Sequence, residues 1–335
     1  MTIAAALILA TSIDAIFRDY EHGAAGTASV LVMRGDEVVF RKSYGAGASP
    51  DSNYRLASVS KQFTAMAILT LEHEHKLALD DHITKFFPDF PELGITVRQM
   101  LTHTSGLVDY EDVIPAGTTI PLKDFDVLWL LRQQNRTLFP PGSKWQYSNS
   151  GYALLALIVE KVSGQTYAHF LHQKLFAPAG MKHTLAYEKG ISTVDKRMYG
   201  QPIDQSLTSA VLGDGGIYSS VDDLARWYAW LDKQPLYAEA SAPHAKTPDA
   251  SYGYGWFVGT QRGQRAIWHT GESIGFRNAV LRVGVRPAIG TNSYPAKKNV
   301  PIAGLTPSLT VIVLTNRDEG HPIELANDVA AAIRH

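Results

Sequence analysis

The chain has 335 residues, 45% of them apolar and 19% charged, with a formal net charge of −1. That is enough for one large domain or two interlocked ones with a full core, and no basic cluster exists to bind nucleic acid. Cysteine is absent, which removes disulfides, thiolate nucleophiles and Cys-based metal sites.

Residues 1–10 (MTIAAALILA) form an apolar run far too short to span a bilayer. The run reads either as a signal-peptide remnant, implying a periplasmic or secreted protein, or as the first turn of the helix that follows in a cytoplasmic one. Residues 11–22 are amphipathic and helical. Residues 28–33 and 37–44 read as strands joined by a tight turn at Gly35-Asp36. Residues 62–71 are apolar nearly all round and predict a buried helix. From residue 80 to about 237 helical periodicity dominates, clearest at 127–132, 152–162, 167–175 and 221–231. Strand character returns at 253–258, 265–268, 278–283 and 309–315, before a closing helix at 322–333. A Gly/Pro/Asn/Lys stretch at 285–307 has the length of a functional or mobile loop.

Strands at both ends and helices between them predict an α+β fold. Its sheet is mainly antiparallel, built from both termini and flanked by helices, with an all-helical domain inserted. The expected division is a discontinuous α/β domain, 11–55 with 241–335, and an insertion at 56–240.

Three short motifs can carry chemistry. In Ser58-Val59-Ser60-Lys61 a serine at a helix start has a lysine one turn on, on the same face. An apolar helix disfavours the ammonium charge and suits the amine as a base for the serine hydroxyl. The first turn also offers a backbone N–H to an oxyanion. Alone the pattern is weak, since roughly one S-x-x-K arises by chance in a chain of this size. The second motif, Tyr147-Ser148-Asn149, sits in a loop opened by Pro141-Gly142. There a tyrosine can pass a proton and an Asn amide can bind a carbonyl. The third, His269-Thr270-Gly271, follows a strand, and its glycine lets a substrate backbone approach.

In this order the motifs resemble those of the serine β-lactamase and penicillin-binding protein superfamily. The Y-x-N form is similar to the branch of class C β-lactamases, D-Ala-D-Ala carboxypeptidases and family VIII carboxylesterases. Leu101 to Leu107 (LTHTSGL), Gly180-Met181 and Gly213 to Trp227 fit the same branch. The resemblance implies the same two-part fold, with the site in the cleft between the parts. It implies Ser58 as the acylated nucleophile and Lys61 and Tyr147 as the proton-handling pair. Asn149, His269, Thr270 and Gly271 would bind substrate, and the backbone N–H groups of Ser58 and Glu272 would form the oxyanion hole. Two departures concern substrate: histidine stands where class C β-lactamases carry lysine, and Glu272 takes a position where small residues are common. Opposed charges or like charges about 5 Å apart near a surface interact by roughly 3 kcal/mol, so Glu272 should discourage an anionic substrate unless Arg277 offsets it. The expectation is a carboxylesterase for short acyl groups. The alternatives are a D-Ala-D-Ala carboxypeptidase or D-amino-acid peptidase, which Asn149 would support, and a weak class C-like β-lactamase.

Gly271-Glu272-Ser273-Ile274-Gly275 also spells the G-x-S-x-G of an α/β-hydrolase nucleophile elbow, with Asp318 and His321 downstream. The strand-like run from Phe276, and the lack of a preceding βαβ series, argue against it. The twelve histidines include no H-E-x-x-H, and neither His73/His75 nor His169/His172 has a carboxylate spaced to complete a site, so no metal or cofactor is expected. A catalytically inactive cell-wall or peptide-binding protein would share the fold, but the intact motifs favour an enzyme. The expected partner is a small ester, amide or peptide, and the oligomeric state is left open.

Overall fold

The computed structural model describes residues 3–21, 26–187, 206–284 and 309–333; the 285–307 loop lies outside them. Strands β1 (Ala28–Arg34) and β2 (Glu37–Tyr44) form a hairpin around Gly35, whose φ of 58° the tight turn requires. Three short strands follow, β3 (Tyr54–Arg55), β4 (Leu185–Ala186) and β5 (Ile217–Ser219). The last third of the chain supplies β6 (Ala245–Lys246), β7 (Ser251–Tyr252), β8 (Phe257–Gln261), β9 (Gln264–Ser273), β10 (Phe276–Val283) and β11 (Leu309–Thr315). Eight strands form one antiparallel sheet in the order β2-β1-β11-β10-β9-β8-β7-β6. Both ends of the sequence meet inside it, one strand in from an edge, where β1 pairs with β11 from Ala28↔Thr315 to Met33↔Thr310.

Strand β11 is buried along its whole length, which explains why its sequence is a continuous apolar run. Its side chains alternate between two cores: Val311 and Val313 join one, Ile312 and Leu314 the other. The first core is closed by Ile13 and Phe17, near the end of and just past the Ile3–Ile16 helix, and by Ala326 and Val329 of the Pro322–Ala332 helix. The second is closed by the middle helices Lys61–His73, Asp124–Arg132, Asn149–Ser163 and Val221–Leu231. Each fully buried Leu, Ile, Val or Phe contributes roughly 1.5–3 kcal/mol, so these two cores hold the layers together. The Lys61–His73 helix is buried nearly all round, as its apolar pattern implies.

Some boundaries differ from the sequence pattern. The helix expected at 167–175 ends at Leu171 and continues as a π-turn over His172–Phe176. The apolar N-terminal run is part of one helix, Ile3–Ile16, and no helix among the described residues is long and apolar enough to cross a membrane. Strands β3, β4 and β5 form a separate three-stranded sheet that two- and three-residue segments are too short to announce. That small sheet bears on the site. β3 leads directly to Ser58 and pairs with β5, and the Leu56 N–H donates to the Ile217 carbonyl.

Strand β9 crosses this segment at contact distance. A Cβ on Gly271 would lie 2.0 Å from the Leu56 carbonyl oxygen and 3.2 Å from the Ser58 nitrogen. Only glycine fits there. Gly271→Ala must therefore push β9 off the serine turn, with an overpacking penalty of ~1–3 kcal/mol. The expected result is a melting temperature lower by a few degrees and any Ser58-dependent reaction slowed at least ~10-fold. Unchanged melting and unchanged rate would contradict the close approach.

Candidate active site

Ser58 lies in a short 3-10 turn, Ala57–Ser60, that runs into the buried Lys61–His73 helix. Ala57, directly before it, has φ 48°, a left-handed conformation that strains any residue with a Cβ. The turn is fixed from outside as well. The buried Asn278 side chain on β10 donates to the Arg55 carbonyl (2.7 Å) and accepts from the Thr315 N–H (3.1 Å).

Lys61 is completely buried. Its Nζ lies 3.2 Å from Ser58 Oγ, 2.8 Å from Asn149 Oδ1 and 2.7 Å from the Asp214 carbonyl oxygen. Two of these partners can only accept. An ammonium donates to all three; a neutral amine donates its two hydrogens to Asn149 and Asp214 and turns its lone pair to the Ser58 hydroxyl. The arrangement thus accommodates both the ammonium and the neutral amine.

The turn carrying Asp214 is held by Asp124, whose carboxylate accepts from the Leu212 N–H (2.8 Å) and the Gly213 N–H (3.0 Å). Burial pushes the Asp124 carboxyl up to about 7 against these two hydrogen bonds. Burial likewise raises Asp214 to about 6, although Lys61 and the Tyr110 hydroxyl, which donates to it at 3.0 Å, pull the other way. The sequence singled out neither carboxylate; only the glycine-rich Gly213-Asp214-Gly215 turn hinted at one of them.

Tyr147 brings its ring to 4.9 Å from Lys61 Nζ, and its buried hydroxyl has no hydrogen-bond partner among the described residues. Behind it stands a buried histidine, His103, with ring centroids 4.4 Å apart. Asn149 begins the Asn149–Ser163 helix, which Ser148 caps by accepting from the Gly151 N–H. The Asn149 amide is already engaged: Oδ1 holds Lys61 and Nδ2 donates to Glu111 Oε1 at 3.3 Å. The amide thus bridges Lys61 and Glu111 in this structure.

Third-motif residues lie along β9, with Thr270 half-buried and Gly271 against the serine turn. His269 is buried; its Nδ1 lies 2.6 Å from the Thr270 carbonyl oxygen and its Nε2 3.0 Å from the Tyr252 hydroxyl. A carbonyl cannot donate, so Nδ1 carries the proton and Nε2 accepts from Tyr252. Burial, then the nearby Lys61 charge, pushes this imidazole down to about 3. Glu272 is exposed and sits opposite Arg277 in the β9–β10 register, with Arg277 Nε 3.8 Å from its carboxylate. The same guanidinium donates to the Ser273 and Phe276 carbonyls. The G-x-S-x-G pentapeptide is the end of β9 and its hairpin turn into β10, with no helix after it, so it does not form a nucleophile elbow.

Ser58, Lys61, Tyr147, Asn149, His269, Thr270 and Gly271 therefore converge around the crossing of β9 and the serine turn. The sequence matches the Beta-lactamase family over residues 13–334. The chain belongs to that family. It is 32% identical over 292 residues to penicillin-binding protein 4* of Bacillus subtilis, an alignment covering 76% of this chain and 64% of that protein. It is 29% identical over 274 residues to the D-aminopeptidase of Brucella canis, covering 74% of this chain and 52% of that one. The chain thus spans less than two thirds of the length of these relatives. The D-amino acid amidase of Ochrobactrum anthropi SV3, solved with D-phenylalanine, superposes with a TM-score of 0.77 at 20% identity, covering 98% of this chain and 99% of the amidase. This likeness shows the shared fold: a large antiparallel sheet flanked by helices.

The low value at His269 has a testable sign. Its folded value lies below the ordinary value near 6.5, so burial of the neutral ring contributes stability above pH 6.5 that is lost as pH falls towards 3. The His269 ring protons should therefore hold a constant NMR shift from pH 8 to pH 5. A midpoint near 6 would mean a solvated ring able to carry positive charge beside the substrate.

Proposed function

We propose that this protein is a serine acyl hydrolase of small amides and peptides whose acyl side carries a free amino group. Ser58 Oγ attacks the carbonyl as Lys61 takes its proton, and the oxyanion is met by the backbone N–H groups of Ser58 and Glu272. The carbon–nitrogen bond then breaks, with the proton reaching the leaving amine through Lys61 and Tyr147. Water, activated by the same pair, cleaves the Ser58 ester and frees the acid.

The observation that carries the substrate class is the charge around Asn149. Its amide links Lys61 to Glu111, and Asp109 and Asp112 lie close enough that their charges affect Glu111. Burial first, then Asp109, raises Glu111; burial, then Asp112, raises Asp109. A cluster of carboxylates that destabilise one another favours an arriving ammonium. On the opposite side His269 is neutral and Arg277 is engaged by Glu272 and two carbonyls, which disfavours a substrate carboxylate. The names of the D-aminopeptidase and D-amino acid amidase relatives are consistent with such substrates.

The neutral third motif equally supports a carboxylesterase for short uncharged acyl groups, so a matched pair must decide. D-Alanine p-nitroanilide should be cleaved at least ~10-fold more efficiently than its N-acetyl derivative, and Glu111→Gln should narrow that ratio. If acetylation has no effect while p-nitrophenyl butyrate is turned over well, the enzyme is an esterase and the amine reading fails. Faster turnover of nitrocefin or of an N-acetylated D-Ala-D-Ala tripeptide would overturn both. The apolar run at 1–10 supports export as part of this proposal, and N-terminal sequencing of protein recovered outside the cytoplasm checks it.

The nucleophile has its own test. Ser58→Ala should abolish hydrolysis of every substrate while melting as the wild type does, and Ser273→Ala should remain active. The reverse pattern would move the chemistry to the β9–β10 hairpin.

A further inference from the structure

The loop that carries Tyr147 has little regular structure of its own, yet it must hold a phenol beside Lys61. It is laid on a second segment, residues 102–106, through backbone contacts. The Leu138 N–H donates to the Gly106 carbonyl (2.8 Å), the Gly142 N–H to the Thr104 carbonyl (2.7 Å) and the Gln146 N–H to the His103 carbonyl (2.9 Å). A fourth bond comes from a side chain, with the Ser148 N–H donating to His103 Nδ1 at 3.1 Å. His103 therefore grips the peptide groups of both residues adjacent to Tyr147. Its ring also backs the phenol, tilted 33° to it at 4.4 Å between centroids. The histidine is completely buried and holds a φ of 59°, which marks a position fixed by its surroundings.

We propose that His103 is the positioning residue of Tyr147: its carbonyl and its unprotonated Nδ1 anchor the chain on either side of the tyrosine, and its ring supports the phenol. The proposal rests on the reading of Tyr147 as a proton carrier. Since Nδ1 accepts, the proton sits on Nε2, an atom with no hydrogen-bond partner among the described residues. A protonated ring would lose the Ser148 bond. The ionisable groups that face it, Lys61, His269, Tyr147, Tyr152 and Tyr252, offer no carboxylate to stabilise an imidazolium. Burial, then Lys61 and His269, holds the ring well below its ordinary value, in its neutral form.

Asparagine separates positioning from bulk. Its Oδ1 occupies the place of Nδ1 as an acceptor, and among residues with a Cβ it tolerates the left-handed backbone well. With a p-nitroanilide substrate, His103→Ala should lower kcat by ~10–100-fold with KM within about threefold of wild type. His103→Asn should recover most of that loss. Because both changes remove the same hydroxyl from its place, His103→Ala combined with Tyr147→Phe should be no slower than Tyr147→Phe alone. Losses that multiply, or an Asn variant no better than Ala, would overturn the proposal. If Tyr147→Phe is itself fully active, the proton-carrier reading fails; if it is inactive while His103→Ala is unaffected, only the positioning role fails. Should His103→Ala not fold, 15N shifts of the wild-type imidazole decide: Nε2 protonated and Nδ1 bare is expected, and the opposite tautomer overturns it.

Discussion

A lysine with no access to water sets the terms for the rest of this structure. Taking an ammonium out of water is tolerable only if hydrogen-bond acceptors replace the solvent, and leaving one unmet costs several kcal/mol. Lys61 finds its three partners on its own turn, at Asn149 and at the Asp214 carbonyl, positions 3, 88 and 153 residues away. No local pattern can bring those together. The fold must deliver a helix start and a tight turn to one point, and each delivery has its own support. Ser148 caps the helix, while Asp124 pins the Asp214 turn from another helix.

Convergence of that kind leaves little room, and glycine provides it. Gly271 lets β9 lie on the serine turn, and Gly213 lets the Asp214 turn lie on the Asn149–Ser163 helix, where a Cβ would fall 2.2 Å from the Tyr152 carbonyl oxygen. In both cases the neighbouring atom is backbone and cannot swing away. These two glycines therefore set distances between segments, and through them the position of Ser58 relative to Lys61.

This is also why some of the protein was legible in its sequence and some was not. The all-round apolar pattern after Ser58 announced a buried helix, and the split of strands between the two ends announced a sheet made from both. Those signals are periodic and local. The three chemical motifs were legible as residue types, and they do meet. What the sequence could not give is partnership across space. Asn149 reads as a binder of substrate carbonyls, and its hydrogen bonds to Lys61 and Glu111 could not be read from the sequence. Arg277 read as a cation of unknown direction, until the hairpin register set it opposite Glu272. His103 lay in a recognisable segment with no assigned task, because its task concerns residues more than forty positions away.

The electrostatic character of the site follows from burial more than from the list of charged residues. Histidine at the third motif could carry charge if solvated, yet burial first and then the nearby Lys61 charge favour the neutral ring, against the pull of the Thr270 carbonyl. Burial gives His103 the same state. Lys61 is then the one buried cationic group held by the three motifs, and it faces Ser58. On the Asn149 side the carboxylates of Asp109, Glu111 and Asp112 gather instead. A substrate therefore meets a field that runs from a neutral, aromatic wall at β9 to an acidic edge beyond Asn149. Under the function proposed above, such a field would orient a dipolar acyl group with its positive end towards Glu111 and its carbonyl towards the backbone crossing of β9 and the serine turn. Orientation of this kind needs no dedicated cation at the third motif, which is how a histidine there can be compatible with amide chemistry.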